Sequence, residues 1–157
     1  MATEIERKFL VRPGAWVPRG PGTHFQQGYL NTRKERVVRV RIEGSVAKLT
    51  IKGVNDGITR SEFEYGIPIE DAGIILNQLC ERPLIDKHRH VEHHLGRVWE
   101  IDVFHGENEG LVVAEVELAS QDAELELPAW VGTEVSSDPR YYNSNLLENP
   151  YTTWADR

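Results

Sequence analysis

One motif, repeated along the chain, constrains the fold more than any other: two charges of like sign set a short step apart on what reads as a strand. Glu4-Ile5-Glu6 opens the series and is followed by Lys8. Arg39-Val40-Arg41 repeats it with guanidiniums, and Lys48 and Lys52 bracket Leu49-Thr50-Ile51. Glu62-Phe63-Glu64, Lys87-His88-Arg89, Glu100-Ile101-Asp102 and Glu115-Val116-Glu117 complete the set. In an extended strand, side chains at i, i+2 and i+4 share one face. Glu4, Glu6 and Lys8 therefore line one surface, with the two carboxylates roughly 6.5–7 Å apart.

An antiparallel sheet with one solvated face also alternates polar and apolar residues, and for a single strand that is the simpler reading. Solvated faces mix their signs, however, because opposite charges stabilise across strands and like charges destabilise. Acidic and basic dyads segregated by strand fit better with a lumen that holds a polyanion and a metal together. Two carboxylates so placed repel unless a cation sits between them. A divalent metal bound by oxygen ligands suits that position.

The rest of the chain supplies strands to carry the dyads. Glu4 to Val11 is predicted as a first strand and Phe25 to Asn31 as a second, separated by a Pro/Gly-rich loop over 13–22. Arg36 to Glu43 and Val46 to Lys52 flank Gly44-Ser45, a two-residue hairpin signal. Thr59 to Ile67 follows and is stopped by Pro68. Ile74, Ile75, Leu76 and Leu79 then fall at helical spacing, so Asp71 to Cys80 reads as a short helix. Strands resume over Leu84 to His94, Arg97 to His105 and Leu111 to Ala119. Asp138-Pro139-Arg140 is a helix-start signal, which predicts a C-terminal helix over Tyr141 to Glu148. About eight mainly antiparallel strands with two-sided patterning predict closure into a barrel, wide enough for one small ligand. The expected fold class is mainly β (α+β), one domain over 1–149 with a loosely held tail over 150–157 and a docking role for Trp154. Apolar residues on the outside need cover, part of it from the two helices and more from formation of a homodimer.

At 157 residues with 39% hydrophobic side chains, the chain is long enough for one soluble domain with a substantial core. A net charge of −7 argues against non-specific nucleic-acid binding. Cys80 is the single cysteine, which makes a reducing compartment the default. No stretch approaches transmembrane length and no apolar leader is visible, so a cytoplasmic protein without a membrane partner is expected. His88, His90 and His94 invite a zinc reading. With Glu92 they fall on the strand face opposite Lys87 and Arg89, where a solvated surface is the better reading. Cys80 reads as a buried structural thiol. Gly20-Pro21-Gly22 lacks the Gly-Lys-Ser/Thr of a phosphate-binding P-loop.

Glu4-Ile5-Glu6-Arg7-Lys8 resembles the ExExK motif of the CYTH superfamily, the triphosphate tunnel metalloenzymes. The resemblance runs to about residue 148, through Gln27-Gly28-Tyr29-Leu30, the Arg39/Arg41 pair, Lys52-Gly53 and Glu62/Glu64. It continues through Lys87/Arg89, Glu100 to Gly106, Glu115/Glu117 and Asp138-x-Arg140-Tyr141-x-Asn143. It is strongest to the short bacterial members, some of which hydrolyse inorganic tripolyphosphate. The resemblance implies an eight-stranded antiparallel tunnel, a small triphosphate as substrate and Mg²⁺ or Mn²⁺ as an essential partner, and more carboxylates than one ion can use suggest two metal positions. Carried over by position, Glu4, Glu6, Glu115 and Glu117 would be metal ligands, with Asp102 a further one. Lys8, Arg39, Arg41, Lys52, Lys87 and Arg89 would hold phosphoryl oxygens, and Lys8, Tyr29 and Lys87 are the candidate catalytic groups. Residues 138–143 would belong to a plug helix closing one mouth, where Tyr142 stands in place of an expected basic residue.

The chemistry is consistent from below. Transfer from a highly charged polyphosphate is mostly positioning plus electrostatic stabilisation. Arginine grips phosphate in bidentate fashion and lysine acts as a point charge. Tripolyphosphate hydrolysis is the leading expectation. A class IV adenylate cyclase, a thiamine or nucleoside triphosphatase and a non-catalytic polyphosphate-binding module are the alternatives. Clustered carboxylates count against the last, because a pure anion binder does not need them.

Overall fold

A computed structural model describes residues 3–157. Nine strands are present: β1 (Thr3–Val11), β2 (Thr23–Asn31), β3 (Val37–Glu43), β4 (Val46–Lys52), β5 (Thr59–Ile67), β6 (Ile85–His94), β7 (Arg97–Phe104), β8 (Val112–Glu117) and β9 (Val131–Glu134). Among the described residues a single α-helix, α1 (Ile69–Gln78), joins β5 to β6. The sheet runs β5-β4-β3-β2-β6-β7-β8-β1-β9, and pairing of β5 with β1 closes it into an eight-stranded antiparallel barrel. Closure is shared along one edge of β1. Thr3 to Ile5 pair with β5, and Phe9 and Val11 pair with β9. The ninth strand, missed in the sequence, thus covers the stretch of β1 that β5 does not reach.

The turns follow from their residues. Gly44 takes φ 58° in the β3–β4 hairpin. Leu95 and Gly96 both take positive φ (48° and 78°) between β6 and β7, the twist that two-residue hairpins favour. Gly28 has a different reason. A Cβ there would lie 2.8 Å from Cys80 and from Leu84, so β2 passes too close to the chain after α1 for any larger residue.

Alternation sends charges inward and apolar side chains outward, and three clusters cover the outside. Ala72 and Leu76 of α1 pack on Val40 and Ala47. The chain after β8 brings Leu118, Ala123, Leu125, Trp130 and Val131 over Phe9, Trp99, Ile101 and Val116. The third cluster joins Tyr29, Val37, Ile85 and Phe104 to Tyr141, Leu146, Leu147 and Trp154 from the C-terminal segment.

That segment corrects the predicted plug helix. Only Pro139–Tyr141 and Tyr151–Thr153 form 3-10 turns, and residues 142–149 are irregular turns. Asn143, Ser144 and Asn145 have side chains that compete for backbone groups, and Asn145 Nδ2 donates to the carbonyl of Pro139 at 2.8 Å. The helix-start signal was real at its first residue, since Asp138 accepts from the Arg140 amide at 3.1 Å. The end of the chain is not loose. Trp154 is buried edge-on against Tyr141 and Tyr151 and donates to the Asn149 carbonyl at 2.9 Å. Among the described residues no helix is long and apolar enough to cross a membrane.

Candidate active site

The barrel encloses a cavity of about 320 Å³ lined by eight basic side chains and eight glutamates. Lys8, Arg39, Arg41, Lys48, Lys52, Arg60, Lys87 and Arg89 face Glu4, Glu6, Glu43, Glu62, Glu64, Glu100, Glu115 and Glu117. Tyr29 lines it as well, and Tyr142, Asn143 and Ser144 of the C-terminal segment cover part of it. Of the candidate metal, substrate and catalytic residues, the structure gathers all but Asp102 on this one surface.

Register explains how so many charges coexist. Side chains directly opposite in antiparallel strands share a face and lie in contact range. Lys8 faces Glu115, Lys52 faces Glu62 and Arg89 faces Asp102. These cross-strand partners are ion pairs at 3.6, 3.5 and 2.7 Å. Dyads segregated along each strand are therefore neutralised across strands. Three opposed pairs are exceptions: Glu6 with Glu117, Glu100 with Glu115, and Arg41 with Lys48. Glu43 bridges the basic pair, 3.0 Å from Arg41 and 3.2 Å from Lys48, whereas the two acidic pairs mark places where a cation lowers the energy.

The acidic exceptions are felt as proton affinity. Burial, then the neighbouring Glu4, pushes the Glu6 carboxyl above its usual range. Burial and Glu6 do the same to Glu115, and burial with Glu4 and Glu100 to Glu117. Glu4 Oε1 accepts from Lys52 Nζ at 3.5 Å, while Oε2 lies 3.2 Å from the same ammonium without an aligned hydrogen bond. These clustered hard oxygen donors fit a divalent cation in chemical type. Among the described residues no three of them converge on a ready coordination point. Lys8 and Lys52 stand between them as internal counter-ions.

Asp102 departs from its expected role as a ligand. It is buried behind the cavity wall, where Lys87 Nζ donates to Oδ2 at 2.7 Å and Arg89 donates to both oxygens at 2.7 and 2.9 Å. Burial opposes its ionisation, but Arg89 and Lys87 outweigh that and hold the carboxyl well below its usual range. Asp102 thus aims two cations at the cavity. Burial, only partly offset by Asp102, brings the Lys87 ammonium down to about 7, with Arg89 and Arg41 adding to the fall. Lys8 moves the other way. Burial lowers it, but Glu115 and Glu6 hold it above its usual value.

The remaining cations are fixed by a polar net that sequence reading did not anticipate. Arg41 Nε donates to Gln27 Oε1 at 2.9 Å, and Gln27 Nε2 donates to the Tyr29 hydroxyl at 3.1 Å. Arg39 Nη2 donates to Thr50 Oγ1 at 3.1 Å and lies 3.8 Å from Glu64. Arg41 and Arg89 stack over the Phe25 ring at 4.9 and 4.7 Å. Burial, then Arg39 and Arg89, lowers the Arg41 guanidinium to about 10. At the plug, Lys8 Nζ donates to the Tyr141 carbonyl at 3.2 Å and Lys87 Nζ to Asn143 Oδ1 at 3.4 Å. Tyr142 meets Lys8 by its ring face at 5.7 Å, with no added charge.

The histidines lie outside. His24 bonds Asp86 at 2.8 Å and His88 bonds His105 at 2.8 Å. Their strand face is less solvated than expected, because Glu92 is buried and accepts from Trp16 Nε1 at 3.0 Å.

Fold and site together define a closed β-tunnel whose wall carries both phosphate-type donors and metal-type acceptors. The chain belongs to the CYTH domain family, whose model matches residues 2–145. An inorganic triphosphatase of Acetivibrio thermocellus is 46% identical over 156 residues, covering 99% of this chain and 100% of the relative. One from Nitrosomonas europaea is 35% identical over 150 residues, covering 92% and 96%. A solved structure of an inorganic triphosphatase superposes with a TM-score of 0.66 at 33% identity, covering 92% of this chain and 97% of that one. A putative adenylate cyclase of Bacillus halodurans shares the fold at TM-score 0.61 and 14% identity, covering 76% and 83%.

Proposed function

We propose that this protein hydrolyses inorganic tripolyphosphate to pyrophosphate and orthophosphate with the help of a divalent metal, Mg²⁺ or Mn²⁺. The observation that carries this reading is the balance of the cavity, eight basic against eight acidic side chains in about 320 Å³. A lone polyanion would strand the glutamates and a lone metal would strand the cations. A polyphosphate together with divalent cations satisfies both. The relatives named inorganic triphosphatase support the same reading at 46% and 35% identity.

Glu4, Glu6, Glu115 and Glu117 would hold the metal, which supplies charge neutralisation at the phosphoryl oxygens. Arg39, Arg41, Lys52 and Arg89 bind and orient the phosphate chain, with Arg89 and Lys87 aimed by Asp102. Lys8 remains charged and grips a phosphoryl group. Lys87 is the group that exchanges a proton near neutrality, and Tyr29, held by Gln27, bears on the same space. Residues 1–149 work as one unit, braced by the tail over 150–157. The reading places the activity in the cytoplasm, without nucleic acid or membrane. A homodimer would cover the exposed Ile51, Phe63 and Tyr65 of β4 and β5.

The test is release of orthophosphate from tripolyphosphate with Mg²⁺ or Mn²⁺, expected to exceed that from ATP and to stop with chelator. Cyclic AMP as the main product from ATP would overturn the assignment.

A further inference from the structure

Arg60 was not among the cations picked from the sequence. It opens β5 and shares an inner face with Glu62 and Glu64, at i, i+2 and i+4. Each of the other seven basic side chains of the cavity lies within 4 Å of a carboxylate oxygen, and among the described residues Arg60 alone lacks one. This holds although Arg60 sits opposite Glu4 in the β1–β5 register. Its Nη2 donates to the Gly53 carbonyl at 3.0 Å, and its Nε is buried with no partner. Nearby in sequence, Asn55 also lines the cavity and has a buried, unpartnered Oδ1. Of the five orphaned side-chain atoms among the described residues, four belong to cavity residues: Glu4, Arg39, Asn55 and Arg60. Buried polar atoms are seldom left unpaired. Their concentration here marks positions that a ligand completes.

We propose that Arg60 binds a terminal phosphoryl group and thereby selects inorganic over organic triphosphates; this rests on the triphosphatase reading above. Lys8 and Lys87 hold one end of the cationic track, beneath the plug. Arg60 stands at the Glu4 end, four residues back along β1, a distance of roughly 13 Å along the strand. Inorganic tripolyphosphate has a free, doubly anionic phosphoryl group at each end. In an organic triphosphate one of those ends is esterified and carries less charge. A free guanidinium at the second end rewards only the inorganic chain, and its fork suits two oxygens of one terminal group.

The experiment compares wild type with Arg60→Gln and Arg60→Lys on tripolyphosphate and ATP, with ATP read as competitive inhibitor if it is not turned over. Melting temperature of the empty protein is measured alongside. Loss of one charge-assisted contact predicts that Arg60→Gln lowers kcat/KM for tripolyphosphate by about tenfold to a hundredfold. The ATP constant changes by less than about threefold, less than the loss of one hydrogen bond to an ion. Arg60→Lys recovers part of the loss, and the melting temperature holds. A purely structural Arg60, bracing the Gly53 carbonyl, predicts instead a lower melting temperature and equal losses on both substrates. Equal losses, or no loss, overturn the assignment of Arg60. Wild-type protein that fails to hydrolyse tripolyphosphate overturns the underlying reading instead.

Discussion

Lys87 is the side chain whose environment most changes its chemistry. It is wholly buried, and Asp102, with a smaller contribution from Glu115, stands against the two guanidiniums of Arg89 and Arg41. With its ammonium brought down to about 7, the fraction able to accept a proton grows as pH passes through neutrality. The rate constant kcat/KM reports the free enzyme, so it should rise with pH with a midpoint near that value. A bound polyanion favours the charged form, so the corresponding limb in kcat should lie higher. In Lys87→Arg, residual activity should lose the limb, and an unchanged limb would assign it to another group. The sign for stability agrees. Between about 7 and the ordinary lysine value of roughly 10.4, the unfolded chain binds the extra proton. This group therefore makes the empty protein more stable as pH rises through that window. Far from the site, Leu95 holds φ 48° at 67% exposure, a conformation that costs an ordinary side chain about 1–2 kcal/mol. Leu95→Asn should recover about 1 kcal/mol of that, which thermal melting would register as a rise of roughly 2–4 °C.

At the level of strands, β1 and β8 form the acidic wall. Glu6 and Glu117 stand directly opposite each other with raised proton affinity. Glu6→Gln and Glu117→Gln should each relieve that repulsion, so the empty protein should melt at the same or a higher temperature. Both should need more metal for turnover. Loss of an outer partner of a metal site already costs about 10–100-fold in affinity, and loss of a ligand should cost at least that. A titration of activity against Mg²⁺ reads it, and unshifted curves would remove these residues from the metal site. The strands and their inward faces were legible in the sequence because alternation is local. The dyads at Arg39/Arg41, Lys52, Lys87/Arg89 and Glu115/Glu117 all face the cavity as expected. Register was not legible, and register sets the surroundings of Asp102. From its spacing it looks like Glu115, but pairing opposite Arg89 withdraws it behind the wall. β9 was hidden because Val131–Glu134 is short, interrupted by Gly132, and pairs with a strand about 120 residues away. The C-terminal segment misled because Asp138-Pro139 announces a helix that Asn143, Ser144 and Asn145 do not sustain. Arg60 escaped notice because no second cation flanks it on β5.

Across the whole molecule, the end of the chain holds the plug. Trp154 touches Tyr141 and Tyr151, and Arg140 lies over its ring at 4.8 Å while pairing with Asp138 and Asp156. Trp154→Ala should cost about 3–5 kcal/mol, the range for emptying a large aromatic site. Because Tyr141 and Asn143 touch Lys8 and Lys87, activity should fall at temperatures where the variant is still folded by circular dichroism. A loss of activity that only tracks unfolding would detach the tail from the site. The even count of charges in the cavity also bears on how molecules arrive. Eight basic and eight acidic side chains line it and the ionised Asp102 lies behind its wall, so the cavity holds no positive excess and most of the net −7 of the chain lies elsewhere. A free polyphosphate diffusing toward this protein meets repulsion once it comes within about a Debye length, some 8–10 Å. The tunnel casts no positive field to pull it in. Capture is therefore opposed over the last stretch of the approach and favourable only at contact, the reverse of electrostatic steering. A substrate already dressed with divalent cations escapes most of that repulsion, so the species that reaches the mouth is the metal complex rather than the bare anion.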